Sequence, residues 1–558
     1  MCKLTQNTTA YGGINKMNYR FSFEKPTNEP ILDYAPGSSE KKELKEKLAR
    51  MKSETIEIPL IIGGREVKTG EMGEIRAPHD HGILLARYHK AGEKELNMAV
   101  EAAAAAKDKW MRTPWTRRAL IFKKAAALVA GPYRSTMNAA TMLGQSKNAY
   151  QAEIEAACEL VDMLQFNTFF MSELYGDQPI SSRGYINIVD YRPLEGFILA
   201  ISPFNFTCIG ANLATAPAMM GNTVLWKPAS TAVYSNYYFM KLIMECGLPP
   251  GVINFIPASG KDVGETILDH PDLAGVHFTG SAETLQYIWE KTGENISHYK
   301  SYPRIVGEAG GKDFIIAHHS ANPDELITAM VRGAFEYQGQ KCSAASRAYI
   351  PESLWNTIRD QFLETVESLR VGPVEDFRNF INAVIDQKAF DKISGYIDYA
   401  AGSDQAEVLA GGKYDDSRGY FIHPTVILTT DPHFKTMEEE IFGPVLTVYV
   451  YPDQDYEKTL HLCNETSPYG LTGAVMARDF EAALLAEDIL TYAAGNFYVN
   501  DKPTAAVIGQ QPFGGSRASG TNDKAGSILN LTRWVTPRVI KYNLNPPVDH
   551  KYPFLDEE

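Results

Sequence analysis

Between residues 196 and 308 short apolar runs alternate with helical segments. The runs at 196–201, 223–226, 252–256, 275–278 and 304–306 are bounded by Gly, Pro or polar residues. Apolar runs of that length suit strands buried on both faces, so the alternation predicts βαβ units around a parallel sheet. Ligands of such a sheet bind at the carboxyl ends of its strands. From about residue 311 a second alternation begins, with helices expected near 323–338, 353–369, 455–464 and 480–490 and strands at 347–350, 445–451, 472–476 and 496–499. It predicts a second α/β unit.

Upstream, Leu44, Leu48 and Met51 fall at helical spacing in the charged run 39–54, which reads as a surface helix. Segments 100–110 and 116–129, rich in Ala and other good helix formers, read as two more. Two stretches fit neither sheet: 185–191 alternates at period two, and 533–542 is strand-like. They are expected to pair, either as an arm used for oligomerisation or as a hairpin packed on its own subunit.

A chain of 558 residues exceeds what one hydrophobic core supports, roughly 250 to 300 residues. The expected organisation is a tail at 1–19, with Met17 as a possible alternative start, and a first domain at 20–310 carrying arm strands at 184–194. A second domain at 311–525 and a C-terminal arm and tail at 526–558 complete it.

Apolar residues at 44% and charged residues at 22% are ordinary for a globular protein. The net charge of -14 argues against nucleic acid as a partner, because that affinity rests on Lys and Arg neutralising phosphates. No apolar stretch of about 18 residues implies a membrane span. The first residues lack a secretory core and are poor in Arg, so the expected place is the cytoplasm, or the mitochondrial matrix for a eukaryotic source. None of the six cysteines has CxxC spacing, and the histidines show no ligand spacing; His277 reads as a packed core residue. Free thiols and no metal are expected.

The chemistry concentrates at one cysteine. Asn322, Pro323, Asp324 and Glu325 form a helix start, and Ile327, Met330, Val331, Ala334 and Phe335 an apolar face behind it. The pattern breaks at Gly339, which places Cys342 on a polar loop after a buried helix. A nucleophile belongs on such a loop.

The run YQGQKCSAASR around Cys342 resembles the active-site segment of the aldehyde dehydrogenase superfamily. Glu308 in GEAGGK resembles its general base, and Asn205 in PFNF its oxyanion donor. Trp226-Lys227-Pro228 is similar to its adenosine-ribose segment, Phe278-Thr279-Gly280-Ser281 to its pyrophosphate turn, and Glu440 to Pro444 to its nicotinamide-ribose grip. The resemblance implies an α/β fold with a Rossmann-type cofactor domain, an α/β catalytic domain and a β-strand oligomerisation arm. It also implies NAD held by Ser202, Lys227, Gly280, Ser281, Ala282, Glu283, Thr284, Glu440 and Phe442. Ser230 stands where the family often has an acid that would repel a 2'-phosphate, so NADP stays open. No GxGxxG occurs at the first βα turn.

Chemistry agrees with these roles. A thiolate attacks an aldehyde to give a thiohemiacetal, which can expel hydride, and a carboxylate can activate water on the thioester that follows. Fixed donors stabilise the oxyanion formed in both steps.

Longer runs, FEYQGQKCSA, AGNFYVNDK, GQQPFGG and RASGTNDK, resemble the Δ1-pyrroline-5-carboxylate dehydrogenase branch of the family. That branch implies oxidation of L-glutamate γ-semialdehyde to L-glutamate in proline degradation, by a homodimer or higher homo-oligomer. The substrate residues it implies are Ser343, Phe206, Phe513, Ala505, Ala506 and Glu159, with Ala506 in place of a serine that would meet the carboxylate. Another semialdehyde, such as succinate semialdehyde, is the first alternative. A cysteine hydrolase would need a histidine base near Cys342, and the sequence offers no local pattern for one. A binding protein on this fold would lack Cys342, Glu308, Asn205, Lys227 or Glu440.

Overall fold

A computed structural model describes residues 22–556. The expected tail at 1–19 and the alternative start at Met17 lie outside the described residues. Two seven-stranded sheets organise the chain. In the first, Arg304–Glu308, Leu273–Thr279, Phe197–Ile201, Thr223–Lys227 and Ile253–Phe255 lie side by side and parallel, and Leu60–Ile62 and Arg65–Val67 extend it antiparallel. Phe197 and Leu199 enter one core cluster while Ile198 and Ala200 enter the cluster on the opposite face. This strand is buried on both sides, which is why it reads as a continuous apolar run. The strand order reverses beside Phe197–Ile201, where a ligand crevice is expected.

The second sheet runs Ala406–Ala410, Thr425–Thr429, Val445–Tyr451, Ala345–Pro351, Asp313–Ala317, Thr472–Met476 and Asn496–Val499. Here too Ile315 and Ala317 face one core while Phe314 and Ile316 face another. Tyr185–Pro193 and Val535–Asn543 pair antiparallel as a separate two-stranded ribbon, with Val189 opposite Val539.

The N-terminal region holds a three-stranded sheet of Ile56–Ile58, Asp80–His89 and Met72–Ala77 that the pattern did not foretell. The helix Ser39–Lys52 buries Leu44, Leu48 and Met51, as the spacing requires. The second helix is longer than expected, Glu93–Met111, and the third spans Trp115–Ala130. A long helical stretch, Ala149–Ala152 then Leu160–Gly176, contains a π-helical segment, Glu153–Glu159. Such segments often mark functional sites, because the extra residue per turn redirects side chains.

One local expectation needs correction. The helix expected near 323–338 ends at Phe335, because Tyr337 and Gln338 take left-handed backbone angles of 53° and 54° in φ. In helix Ala282–Glu294 the buried positions are Leu285, Ile288 and Thr292, while Trp289, one step around the helix, is exposed.

Candidate active site

The nucleophile loop is built by its neighbours. Asn322 caps helix Pro323–Phe335 by accepting the Glu325 N–H at 3.1 Å. Beyond the helix Gly339 also has a positive φ of 66°, and a Cβ there would stand 2.1 Å from the Gly443 carbonyl oxygen. Glycine is required by both the sign of φ and the close approach. The Gln338 amide donates to the Ser146 and Ala383 carbonyls at 2.9 and 2.8 Å, and the Gln340 side-chain oxygen accepts the Ile385 N–H at 2.9 Å. The loop is polar in sequence yet buried, since Gln340, Lys341 and Ser343 find internal partners or packing instead of water. Cys342 is half-buried and lines a cavity of ≈ 280 Å³. The other cysteines among the described residues are buried and free.

Glu308 ends strand Arg304–Glu308 and lines the same cavity. Its carboxylate accepts the Gly515 N–H at 3.0 Å, and Cβ atoms on Gly514 and Gly520 would crowd it at 3.0 and 3.1 Å. Burial pushes this acid up to about 8, with the Gly515 bond and Lys524 opposing the shift. The Cys342 thiol is also pushed up, by burial first and then by the charges of Asp313, Glu308, Glu440 and Glu159. The resting nucleophile is therefore a neutral thiol that must lose its proton before attack. The buried Asn205 amide donates to the Gln340 carbonyl at 3.0 Å, which ties it to the nucleophile loop.

Residues expected to hold a cofactor collect at the carboxyl ends of the first sheet. Ser202 follows Phe197–Ile201, Lys227 ends Thr223–Lys227, and Gly280 follows Leu273–Thr279. These strands are neighbours at the crevice. Helix Ala282–Glu294 starts there, capped by Ser281 accepting the Thr284 N–H at 3.3 Å. The N–H groups of Ala282 and Glu283 in its first turn have no intrahelical acceptor, a ready anion site. Lys227 donates to the Pro228 carbonyl at 3.4 Å and pairs with no carboxylate among the described residues. Burial lowers it to about 8. Glu440 accepts the Gly311 N–H at 3.0 Å, and a Cβ on Gly310 would meet its carboxylate at 2.0 Å. The Gly-Gly after Glu308 thus gives Glu440 its seat, and burial raises that acid to about 7. Phe442, at a φ of 61°, lies edge-on to Phe204 at 5.7 Å.

One member of this set departs from expectation. The Ser202 hydroxyl is buried and accepts the Trp226 indole N–H at 3.0 Å, so it faces the core rather than the crevice. The remaining groups, an unpaired cation, a helix start and a desolvated acid, fit a dinucleotide.

The expected substrate residues Ser343, Phe206, Phe513, Ala505, Ala506 and Glu159 all line the cavity that holds Cys342. Glu159 ends the π-helical segment. It accepts the Cys208 thiol at 3.2 Å, and burial raises it to about 7. Lys341 and Lys502 line the cavity too and share one carboxylate, Glu336, at 2.9 and 3.8 Å. Lys502 also donates to the Thr504 carbonyl at 2.8 Å, at the start of the Ala505–Ala506 loop. Two ammonium groups thus meet one acid at this end of the cavity, whose lining also carries Glu29, Glu159, Asp162 and Glu308.

Residues 66–539 match the aldehyde dehydrogenase family. The chain belongs to that family. It is 51% identical to the mitochondrial Δ1-pyrroline-5-carboxylate dehydrogenase of Dictyostelium discoideum over 539 residues, 96% of this chain and 97% of that one. The mitochondrial human enzyme of the same name is 47% identical over 95% of this chain and 94% of its own. The crystal structure of the Δ-pyrroline-5-carboxylate dehydrogenase from Mycobacterium tuberculosis bound with NAD superposes with a TM-score of 0.94 at 50% identity, covering 97% of this chain and 100% of that one.

This aldehyde dehydrogenase carries site residues that sequence reading passed over. Lys341 sits in the motif beside Cys342, but nothing local marks it as cavity-lining. Lys147 does not line the cavity but supports it from behind, lying under Phe206 and Tyr337 at 4.1 and 4.4 Å from their ring centres and pairing with Glu155 at 2.8 Å. The separation of Lys147 from Phe206 in the chain hides that contact. His277 is a packed core residue whose Nδ1 donates to the Leu213 carbonyl at 3.0 Å; burial lowers it to about 3, though its edge reaches the cavity.

Proposed function

We propose that this chain oxidises L-glutamate γ-semialdehyde, the ring-opened form of Δ1-pyrroline-5-carboxylate, to L-glutamate, the second step of proline degradation. The observation that carries the reading is one cavity lined by Cys342 and Glu308 together with Glu159, Lys341, Lys502 and the Thr504 to Val507 loop. An aldehyde that also bears an ammonium and a carboxylate finds a partner there for each group. Succinate semialdehyde brings no ammonium for Glu159, which disfavours it.

In this reading the Cys342 thiol loses its proton to solvent water, and the thiolate attacks the aldehyde carbon as the carbonyl π pair moves onto oxygen, which gives a thiohemiacetal. The Asn205 amide, which donates one N–H to the Gln340 carbonyl and has a second to offer, and the Cys342 backbone N–H are the donors assigned to the oxygen as charge develops, a contribution of about 3 kcal/mol per donor. NAD, when bound, supplies the hydride acceptor; Lys227, the helix start at Ser281 and Glu440 would hold it, with NADP open because Ser230 places no acid beside Lys227. Glu308 then takes a proton from water attacking the thioester, and Cys342 leaves as glutamate forms. Phe206 and Phe513 flank the aliphatic chain, while Ser343 offers a hydroxyl.

The test is reduced-cofactor formation with Δ1-pyrroline-5-carboxylate, succinate semialdehyde and propanal side by side, each with NAD and NADP. A kcat/KM at least ~10-fold higher for the first substrate is expected, the scale of one well-placed polar contact. Equal or faster use of the other aldehydes rejects the substrate assignment.

The ribbon of Tyr185–Pro193 and Val535–Asn543 supports a homodimer or higher homo-oligomer. It exposes Ile186, Ile188, Val539 and Tyr542, apolar side chains a solvated hairpin would not need. Changing Ile188 and Val539 together to Glu is expected to reduce the mass measured by light scattering to that of a smaller species; an unchanged mass rejects the arm as an interface. No helix among the described residues is long and apolar enough to cross a membrane. Unpaired cysteines suit a reducing compartment, the cytoplasm or the mitochondrial matrix.

A further inference from the structure

The segment from Ser22 to Tyr34 is an extended strap without a helix or strand, and it is tied down along its length. Phe23 packs edge-on against Trp115 at 6.0 Å, under the Lys123 ammonium at 4.9 Å. The Leu32 N–H donates to Glu153 at 2.9 Å, the Tyr34 hydroxyl to the same carboxylate at 2.7 Å, and Arg134 donates to the Pro30 carbonyl at 2.7 Å. Glu153 belongs to the π-helical segment that ends at Glu159. Between these anchors, Asn28, Glu29 and Ile31 line the cavity that contains Cys342.

Asn28 stands at a junction of three elements. Its amide nitrogen donates to the Asp162 carboxylate at 2.8 Å and to the Ile508 carbonyl at 2.7 Å, and its amide oxygen accepts from the Gln510 side chain at 2.9 Å. Asp162 also accepts the Glu29 N–H at 2.8 Å. Both partners of the nitrogen are acceptors, so the orientation of the amide follows from chemistry: only an NH2 group satisfies a carboxylate and a carbonyl at once. Ile508 is buried beside Met163 and Phe166, and a Cβ on Gly509 would stand 2.1 Å from the Phe166 ring. Packing therefore fixes the downstream end of the Thr504 to Ile508 loop, while hydrogen bonds from the strap fix its carbonyl plane.

We infer that Asn28 is a positioning residue for substrate specificity: by clamping Ile508 and Gln510 to Asp162 it sets the loop that meets the amino-acid end of the substrate. The inference rests on the function proposed above and assigns the substrate carboxylate to the main-chain N–H groups of Thr504 to Ala506, since the Val507 N–H is taken by the Gln511 side chain at 3.0 Å. With Ala506 offering no hydroxyl, recognition there falls to main-chain N–H groups, whose direction depends on the loop's orientation. A short aldehyde does not reach the loop and is indifferent to it.

Asn28→Ala and Asn28→Asp test the clamp; the second keeps the shape but replaces the donating NH2 by a carboxylate facing Asp162 and a carbonyl. Expected for both is a KM for Δ1-pyrroline-5-carboxylate raised roughly tenfold, kcat within about twofold, and kcat/KM for propanal unchanged. Binding of L-glutamate by calorimetry, which needs no turnover, should weaken by a similar factor. A general structural defect would instead lower kcat for both aldehydes together. That parallel loss, or an unaltered KM and glutamate affinity, overturns the inference. Failure of the substrate reading itself would show earlier, in a wild-type enzyme that does not prefer Δ1-pyrroline-5-carboxylate to propanal.

Discussion

Cys342→Ala is expected to lower turnover of every aldehyde by at least ~10⁴-fold while NAD affinity stays within about twofold. The first part follows because the other cysteine that lines the cavity, Cys158, is buried against Arg134 and Glu153, and burial pushes its thiol well up. Cys208 is buried too and donates to Glu159. The second part follows because the groups assigned to NAD sit on the first sheet and on the Glu440 turn, not on the nucleophile loop. Steady-state rates with Δ1-pyrroline-5-carboxylate and a titration of protein fluorescence with NAD check both. Substantial turnover in the variant would remove Cys342 from the chemistry.

Glu308→Gln is the second large effect and differs in kind. Acylation proceeds without this carboxylate, so one rapid equivalent of NADH should appear and then stall, with steady-state turnover down by ~10²- to 10⁴-fold. The pH profile carries the same signature. With its acid held up near 8 by burial, Glu308 is protonated below that pH and cannot accept a proton from water. Wild-type steady-state turnover should therefore climb as pH rises through about 8, and the Gln variant's steady state should lose the part due to Glu308, while its burst keeps the dependence set by deprotonation of Cys342. Stopped-flow NADH formation across the range tests this; a variant with no burst and an unchanged profile would assign the base elsewhere.

Much of the frame was legible because its strands are buried on both faces. Val445–Tyr451 and Thr472–Met476 stand where the apolar runs placed them, and the edge strand Asn496–Val499, whose Val499 is exposed, is bounded by Gly495 and Asn500. The helices at Arg134–Gln145 and Thr207–Met219 escaped because nearly every position is buried, so no polar stripe gives a period to read. The second also contains Pro217, ordinarily a helix breaker.

The chemistry was legible where one short motif carries it, as in Gly339 to Cys342 or Glu308 with its glycines. The structure adds why the spacing holds: Gly310 makes room for Glu440, and Gly515 supplies the N–H that holds Glu308. Contacts between distant segments had no signal. Asn28 lies in a strap with no periodicity, and its partners Asp162 and Ile508 are far along the chain. The Ser202 hydroxyl shows the converse, a residue marked by its motif whose side chain turns inward to Trp226.

The central claim is that a glutamyl group passes through the sulfur of Cys342 in a cavity where Glu308 releases it. Intact-protein mass spectrometry of Glu308→Gln, mixed with Δ1-pyrroline-5-carboxylate and NAD and quenched in acid, reads this directly. The account predicts a mass gain of one γ-glutamyl group, located by peptide mapping on Cys342 and absent when NAD is omitted. An unmodified protein that has nonetheless produced NADH, or an adduct on another residue, would contradict it.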